Sequence, residues 1–153
     1  MRNFATMVLL GVFVILYATA CSNGPKPINY GQDACDFCRM TIVDTQHAAQ
    51  LVTAKGRNYK YDAIECMIND LSKWKRPPVK THLVADYANP RGLTDALTAS
   101  YLISEEIPSP MGAYLSAFSS EIKRDDTHSA SGGEKLSWNQ LLLTFGEKQD
   151  HKY

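Results

Sequence analysis

The chain has no surplus of either charge, with 16 Lys and Arg against 16 Asp and Glu in 153 residues. Its cations are scattered rather than gathered into a basic stripe, which excludes nucleic acid as a partner. No nucleophile–base pair, no paired acid/base carboxylates and no glycine-rich phosphate loop stand out, so we read a non-enzyme. Apolar runs are short as well: the longest, Met7–Tyr17, falls well below the roughly 20 residues that a helix needs to cross a bilayer. The four histidines, His47, His82, His128 and His151, are unpaired. Cysteine is scarce, at four residues, and the chemistry of the chain turns on where those four lie.

The first is explained by the leader. "MRNFATMVLLGVFVILYATA" carries Arg2, an apolar stretch and a small-residue end, the pattern of a secretory signal peptide over residues 1–20. Cys21 follows directly, and "ATAC" resembles the bacterial lipobox, in which this cysteine becomes the lipidated first mature residue. Ser22 stands where an inner-membrane lipoprotein often has aspartate. The expected location is therefore the bacterial cell envelope, lipid-anchored through Cys21 in the outer membrane and facing the periplasm.

Residues 21–34 are read as a flexible tether, because "SNGPKPINYGQDA" has Gly, Pro and Asn but no apolar period. The fold is expected over 35–145, with half-units of about 35–90 and 91–145 and a polar tail at 146–153. Short strands are expected at 41–43, 48–53 and 59–61. A helix then opens at Asp62, where "DAIE" has the form of a capping box. "THLVADYA" reads as a strand ended by "NPRG", and "LTASYLI" and "GAYLSAFSS" as further strands. "DDTHSASGG" reads as a mobile loop. "EKL" leads into a second capped helix, "SWNQLLLTFG", with Gly146 at its end. Two strand-rich segments, each with a capped helix and a preceding methionine, Met40 and Met111, suggest a duplicated unit.

Three thiols remain: Cys35, Cys38 and Cys66. An odd number in an exported chain leaves at least one unpaired. "CDFC" alone fits a redox pair, half a zinc site or a local disulfide. Redox activation wants the first cysteine at a helix N-terminus, and "RMTIVD" reads as strand. Zinc wants more paired ligands than Cys66 and the separate histidines offer. There remains "C-R-M", in which Cys38 and Met40 share one strand face about 7 Å apart. A thiolate and a thioether form a soft donor set that suits Cu(I), and Met111, after the proline-stiffened "IPSP", is a candidate third sulfur. On the helix, Cys66 falls about 140° from the apolar stripe. Two disulfides compete: Cys35–Cys66, which leaves Cys38 free and which we favour, and Cys35–Cys38, which abolishes the Cys38 site. His47 is a weaker candidate ligand, more simply a polar surface residue, and Asp36 is a turn residue.

Taken in order, "CDFCRM", "YKYDAIECMINDL", "DYANPRGLTDALTASYLI" and "SPMGAYLSAFSS" resemble the NosL family of copper-binding lipoproteins over roughly residues 35–145. The resemblance implies an α+β fold of two related strand–strand–helix–strand units, similar to part of the organomercurial lyase fold. It implies Cu(I) bound at Cys38, Met40 and Met111, with Cys66 matching a helix cysteine of some members. It also implies delivery of copper to nitrous oxide reductase through its maturation machinery, an ABC-type assembly complex. Arg39 departs from the glycine that relatives commonly have. The competing expectations are an envelope thiol–disulfide oxidoreductase using Cys35 and Cys38, a copper chaperone for another client, and a purely structural envelope lipoprotein.

Overall fold

β-branched and aromatic residues cluster in two stretches, and each stretch forms a small antiparallel sheet. The computed structural model describes residues 24–150, with side chains through Phe145. The leader and Cys21 lie outside the described residues, as do residues 151–153. The first unit contains β1 (Ala49–Thr53), β2 (Asn58–Tyr61), α1 (Ile64–Leu71), β3 (Val79–Asp86) and β4 (Asn89–Asp95). Its strand order is β2-β1-β3-β4, antiparallel throughout. The second unit contains β5 (Ser100–Ile103), β6 (Leu115–Phe118), α2 (Glu121–Ser131), β7 (Glu134–Leu136) and α3 (Trp138–Asp150), with strand order β6-β5-β7.

The expected duplication is visible in this topology. In each unit the first strand is central, the second pairs on one side, and the strand after the helix pairs on the other. The helix that corresponds to α1 is α2, whose residues from Asp125 onward fall in "DDTHSASGG", expected as a mobile loop. α2 has no buried residue, so no apolar period announces it. It is held instead by local bonds: Thr127, Ser129 and Ser131 hydroxyls donate to carbonyls four residues back. Asp125 pairs with Arg124 and Lys135. Gly132, at φ 64°, ends the helix, and Gly133 lets the chain pass so close to the Ile103 carbonyl that a Cβ would clash.

Other boundaries shift for local reasons. "NPRG" does not end a strand but opens β4; Pro90 is tolerated there because β4 is an edge strand with one unpaired side. The turn itself is at Tyr87–Ala88, where the Ala88 N–H donates to Asp86 Oδ1. Residues 41–43 make only an isolated bridge, Ala34 to Thr41. α3 continues through Gly146 to Asp150. The segment 24–34, read as a flexible tether, is laid along β1 and β2. Lys26 N–H donates to Asn58 Oδ1 at 2.8 Å, Gln50 Nε2 to the Lys26 carbonyl at 2.8 Å, and Lys60 Nζ to the Pro27 carbonyl at 2.6 Å.

Both units share one core. Leu51, Tyr61, Ile64, Met67 and Val84 from the first pack with Tyr101, Leu115, Leu136 and Leu141 from the second. α1 lies between the sheets, and Ile64, Glu65, Cys66, Met67, Ile68 and Asp70 are all buried. A helix enclosed on nearly every side has no solvent face, and this overturns the placement of Cys66 off the core from a single apolar stripe.

Candidate metal centre

Residues 35–40 form a closed loop rather than the strand expected for "RMTIVD". The Ala34–Thr41 bridge closes its base, Cys35 N–H donates to the Met40 carbonyl at 2.8 Å, and Arg39 N–H to the Cys35 carbonyl at 3.1 Å. Asp36 fixes the loop to β2: its N–H donates to the Lys60 carbonyl, and its Oδ2 accepts from the Lys60 N–H, both at 2.8 Å. Arg39 stands at φ 68°, the left-handed region that favours glycine. That is the position where the resemblance implies glycine in relatives, and a left-handed backbone is one that glycine adopts without strain. Cys38 and Met40 therefore belong to a tight loop and do not project from one face of a strand.

The loop turns Cys35 inward, fully buried, and leaves Cys38 partly exposed. Cys66, in the first turn of α1, faces them from the other side. The three Sγ atoms lie within 4.8 Å of one another, and all three thiols are free. Cys35 and Cys66, the pair favoured for a disulfide, stand here as two free thiols, with the Cys66 thiol directed at Cys35 Sγ as a hydrogen-bond donor. Backbone N–H groups of Asp62, Cys38 and Phe37 add to it, with Cys38 N at 3.5 Å.

These donors favour the thiolate. The Cys66 thiol first, and then the backbone groups against the opposing cost of burial, pull the Cys35 pKa down to about 5. Cys66 is pushed up because it donates to Cys35 and is buried. Cys38 is raised, chiefly by burial and then by hydrogen bonding and charge at Cys35. The cluster releases one proton easily, and the other two thiols hold theirs. A turn and a neighbouring thiol, in place of a helix N-terminus, lower the Cys35 pKa.

Three thiolates around one soft ion at about 2.3 Å stand about 4 Å apart, which the observed spacing nearly meets. Among the described residues no histidine or carboxylate oxygen joins the group, so the donor set is sulfur alone. That suits a thiophilic ion of low coordination number better than zinc, which wants a fourth ligand.

The remaining expected residues fall in different places. Met40 is exposed, at 52%, and Met111 at 42%, so neither fills the core. The loop of Met111 is tied to the residue before Cys66. Glu65, next to Cys66, accepts from Ser109 Oγ at 2.8 Å and from Ala113 N–H at 3.3 Å. His47 is not a surface residue: it is buried, with Nε2 3.2 Å from Ser116 Oγ and its ring against Tyr87. Its Nδ1 lies 3.1 Å from Asp44 Oδ2, off the direction of a well-formed hydrogen bond. It takes no part in the thiol group.

Two antiparallel-sheet units joined by one core, with a trio of free thiols at the mouth of the first, define an α+β protein with a soft-donor site. The family follows from the sequence: the family model for NosL matches residues 27–143, and the chain belongs to the NosL family. Its fold is similar to that of a solved structure described as the copper chaperone NosL from Shewanella denitrificans. The TM-score is 0.66 at 16% identity, over 76% of this chain and 94% of that one. No curated protein matches the sequence.

Proposed function

We propose that this protein is a copper chaperone that holds one Cu(I) on Cys38 and hands it on by ligand exchange. The three free thiols within 4.8 Å of one another, with Cys38 at the accessible edge, carry the reading. Membership of the NosL family and a fold shared with a protein described as a copper chaperone support it. Met40 and Met111 supply exposed thioethers for the entering and leaving ion, while Cys35 and Cys66 offer sulfurs behind it. An incoming thiol, thioether or imidazole bonds to copper before an outgoing sulfur leaves. No electron moves; a thiol that takes the ion gives its S–H proton to solvent, and a sulfur that releases the ion takes a proton back. The destination we propose is the maturation of nitrous oxide reductase through its ABC-type assembly complex. The protein would act from the outer membrane, anchored at Cys21 and facing the periplasm.

The lowered pKa of Cys35 raises a thiol–disulfide oxidoreductase as the alternative. Geometry opposes it, because the thiol held ionised is fully buried while the more accessible Cys38 keeps its proton. An exchanging pair needs its low-pKa thiol at the surface.

Anaerobic Cu(I) titration of the reduced protein against a Cu(I)-specific chelator tests the proposal. One equivalent should bind. Cys38→Ser should weaken binding beyond the roughly 10–100-fold typical of outer-shell changes, and Met40→Leu by about tenfold, or about 1.4 kcal/mol. No stoichiometric uptake by the wild type would sink the reading.

A further inference from the structure

The thiol loop also forms one wall of an open cleft of about 510 Å³, lined by Asp36, Arg39, Arg57, Tyr59, Arg76 and Pro77. Three guanidinium groups meet there in a chain whose overall charge is balanced. Arg39 and Arg57 are exposed, and neither makes an ion pair with a described residue. Arg57 lies over the Tyr59 ring at 4.8 Å, and Arg76 over Tyr59 and Trp74 at 4.4 Å each. Stacking holds these planar groups in place, so less rotamer freedom is lost when they take an acidic ligand. Arg76 spends Nη2 on Asp70 but has Nη1 buried without a hydrogen-bond partner. Asp36, the one carboxylate of the lining, is already occupied by the Lys60 N–H.

From this we infer that the Arg39–Arg57–Arg76 cleft is the docking site for an acidic segment of the protein that exchanges metal with Cys38. The inference rests on the proposed copper function for the identity of that partner, and on charge and geometry for the docking. Position favours a protein over a membrane. Asp36 and Arg39 belong to the same six-residue loop as Cys35 and Cys38, so whatever fills the cleft lies against the loop that carries the thiols. A metal acceptor must come to that loop, whereas a lipid surface seated on it leaves no room for one. The partner's carboxylates would pair bidentately with Arg39 and Arg57 and set its donor atoms over Cys38.

The test is an NMR titration of the reduced, isotopically labelled protein with a glutamate-rich peptide, its glutamine counterpart, and vesicles of phosphatidylcholine containing phosphatidylglycerol. The acidic peptide should shift amides around residues 36–39, 57 and 76, and the glutamine peptide should not. Arg57→Glu should weaken the peptide about tenfold, and added salt should weaken it further. Unchanged affinity in Arg57→Glu, or shifts confined to other surfaces, overturns the assignment. So does vesicle binding that displaces the peptide and is lost in Arg57→Glu, which gives the cleft to the membrane. Cu(I) uptake is measured in parallel, and Arg57→Glu should keep the wild-type stoichiometry. If the wild type binds the peptide at the cleft but takes up no Cu(I), the docking is supported and the copper function falls.

Discussion

Arg39 shows at the residue scale how a backbone requirement and a side-chain use come to share one position. Holding a non-glycine residue at φ 68° costs roughly 1–2 kcal/mol, against which glycine loses about 0.5–1 in chain entropy. Arg39→Gly should therefore raise stability by about 0.5–1 kcal/mol in urea denaturation, and Arg39→Ala should not reproduce the gain. Cys35 carries a second expectation. Its folded pKa of about 5 lies below the ordinary thiol value of about 8.5, so between these pH values the unfolded chain binds the proton and the folded one does not. Stability from Cys35 is thus complete above the unfolded value and is lost as pH falls through about 5. Cys66, whose pKa is raised, works the other way: its contribution is complete below the unfolded value and declines as pH rises above it. Under anaerobic reducing conditions, the stability difference between wild type and Cys35→Ser should widen from pH 5.5 to 8.5. A flat difference would remove the buried thiolate from the account.

At the scale of elements, two capping boxes with the same sequence signature behave differently. At α3 the Ser137 N–H donates to Gln140 Oε1 at 2.8 Å, and Gln140 N–H reaches back to Ser137 Oγ at 3.5 Å. At α1 the cap position is Ala63, with no side-chain bond, and Glu65 reaches out to the loop of Met111 instead. Burial decides between them: α3 begins in solvent, where a local bond is the best on offer, whereas α1 begins inside the core and meets a second unit. Ser137→Ala should cost about 1 kcal/mol and leave metal binding alone. Glu65→Ala should cost about 1–3 kcal/mol and free the 109–113 loop, read as faster amide exchange there. The pattern of short strands was legible because strand residues and turns alternate along the chain. α2 was not, because a helix without a buried face leaves no period to read.

For the whole molecule, the single core spanning both sheets means that neither unit keeps its apolar face without the other. Trp74 packs on Tyr59 within the first unit, whereas Trp138 opens α3 and meets both His82 of β3 and Tyr101 of β5, so one reports on the first unit and the other on the junction. Single-tryptophan variants should each give a fluorescence midpoint that coincides with their own loss of circular dichroism; a separate early transition in either would show two independent domains. The sequence by itself determined the α+β class, the repeated unit, the family and the sulfur-rich segment as the candidate site, because periodicity, turn chemistry and motif order are properties of neighbours along the chain. Only the tertiary structure decided that Cys35 and Cys66 join Cys38 in one thiol group, that His47 is buried away from it, and that Arg57 and Arg76 flank the same loop. Those facts depend on α1 being enclosed between two sheets and on β2 lying beside the loop at residues 35–40. Contacts between residues far apart in sequence are fixed by packing, which no local pattern encodes.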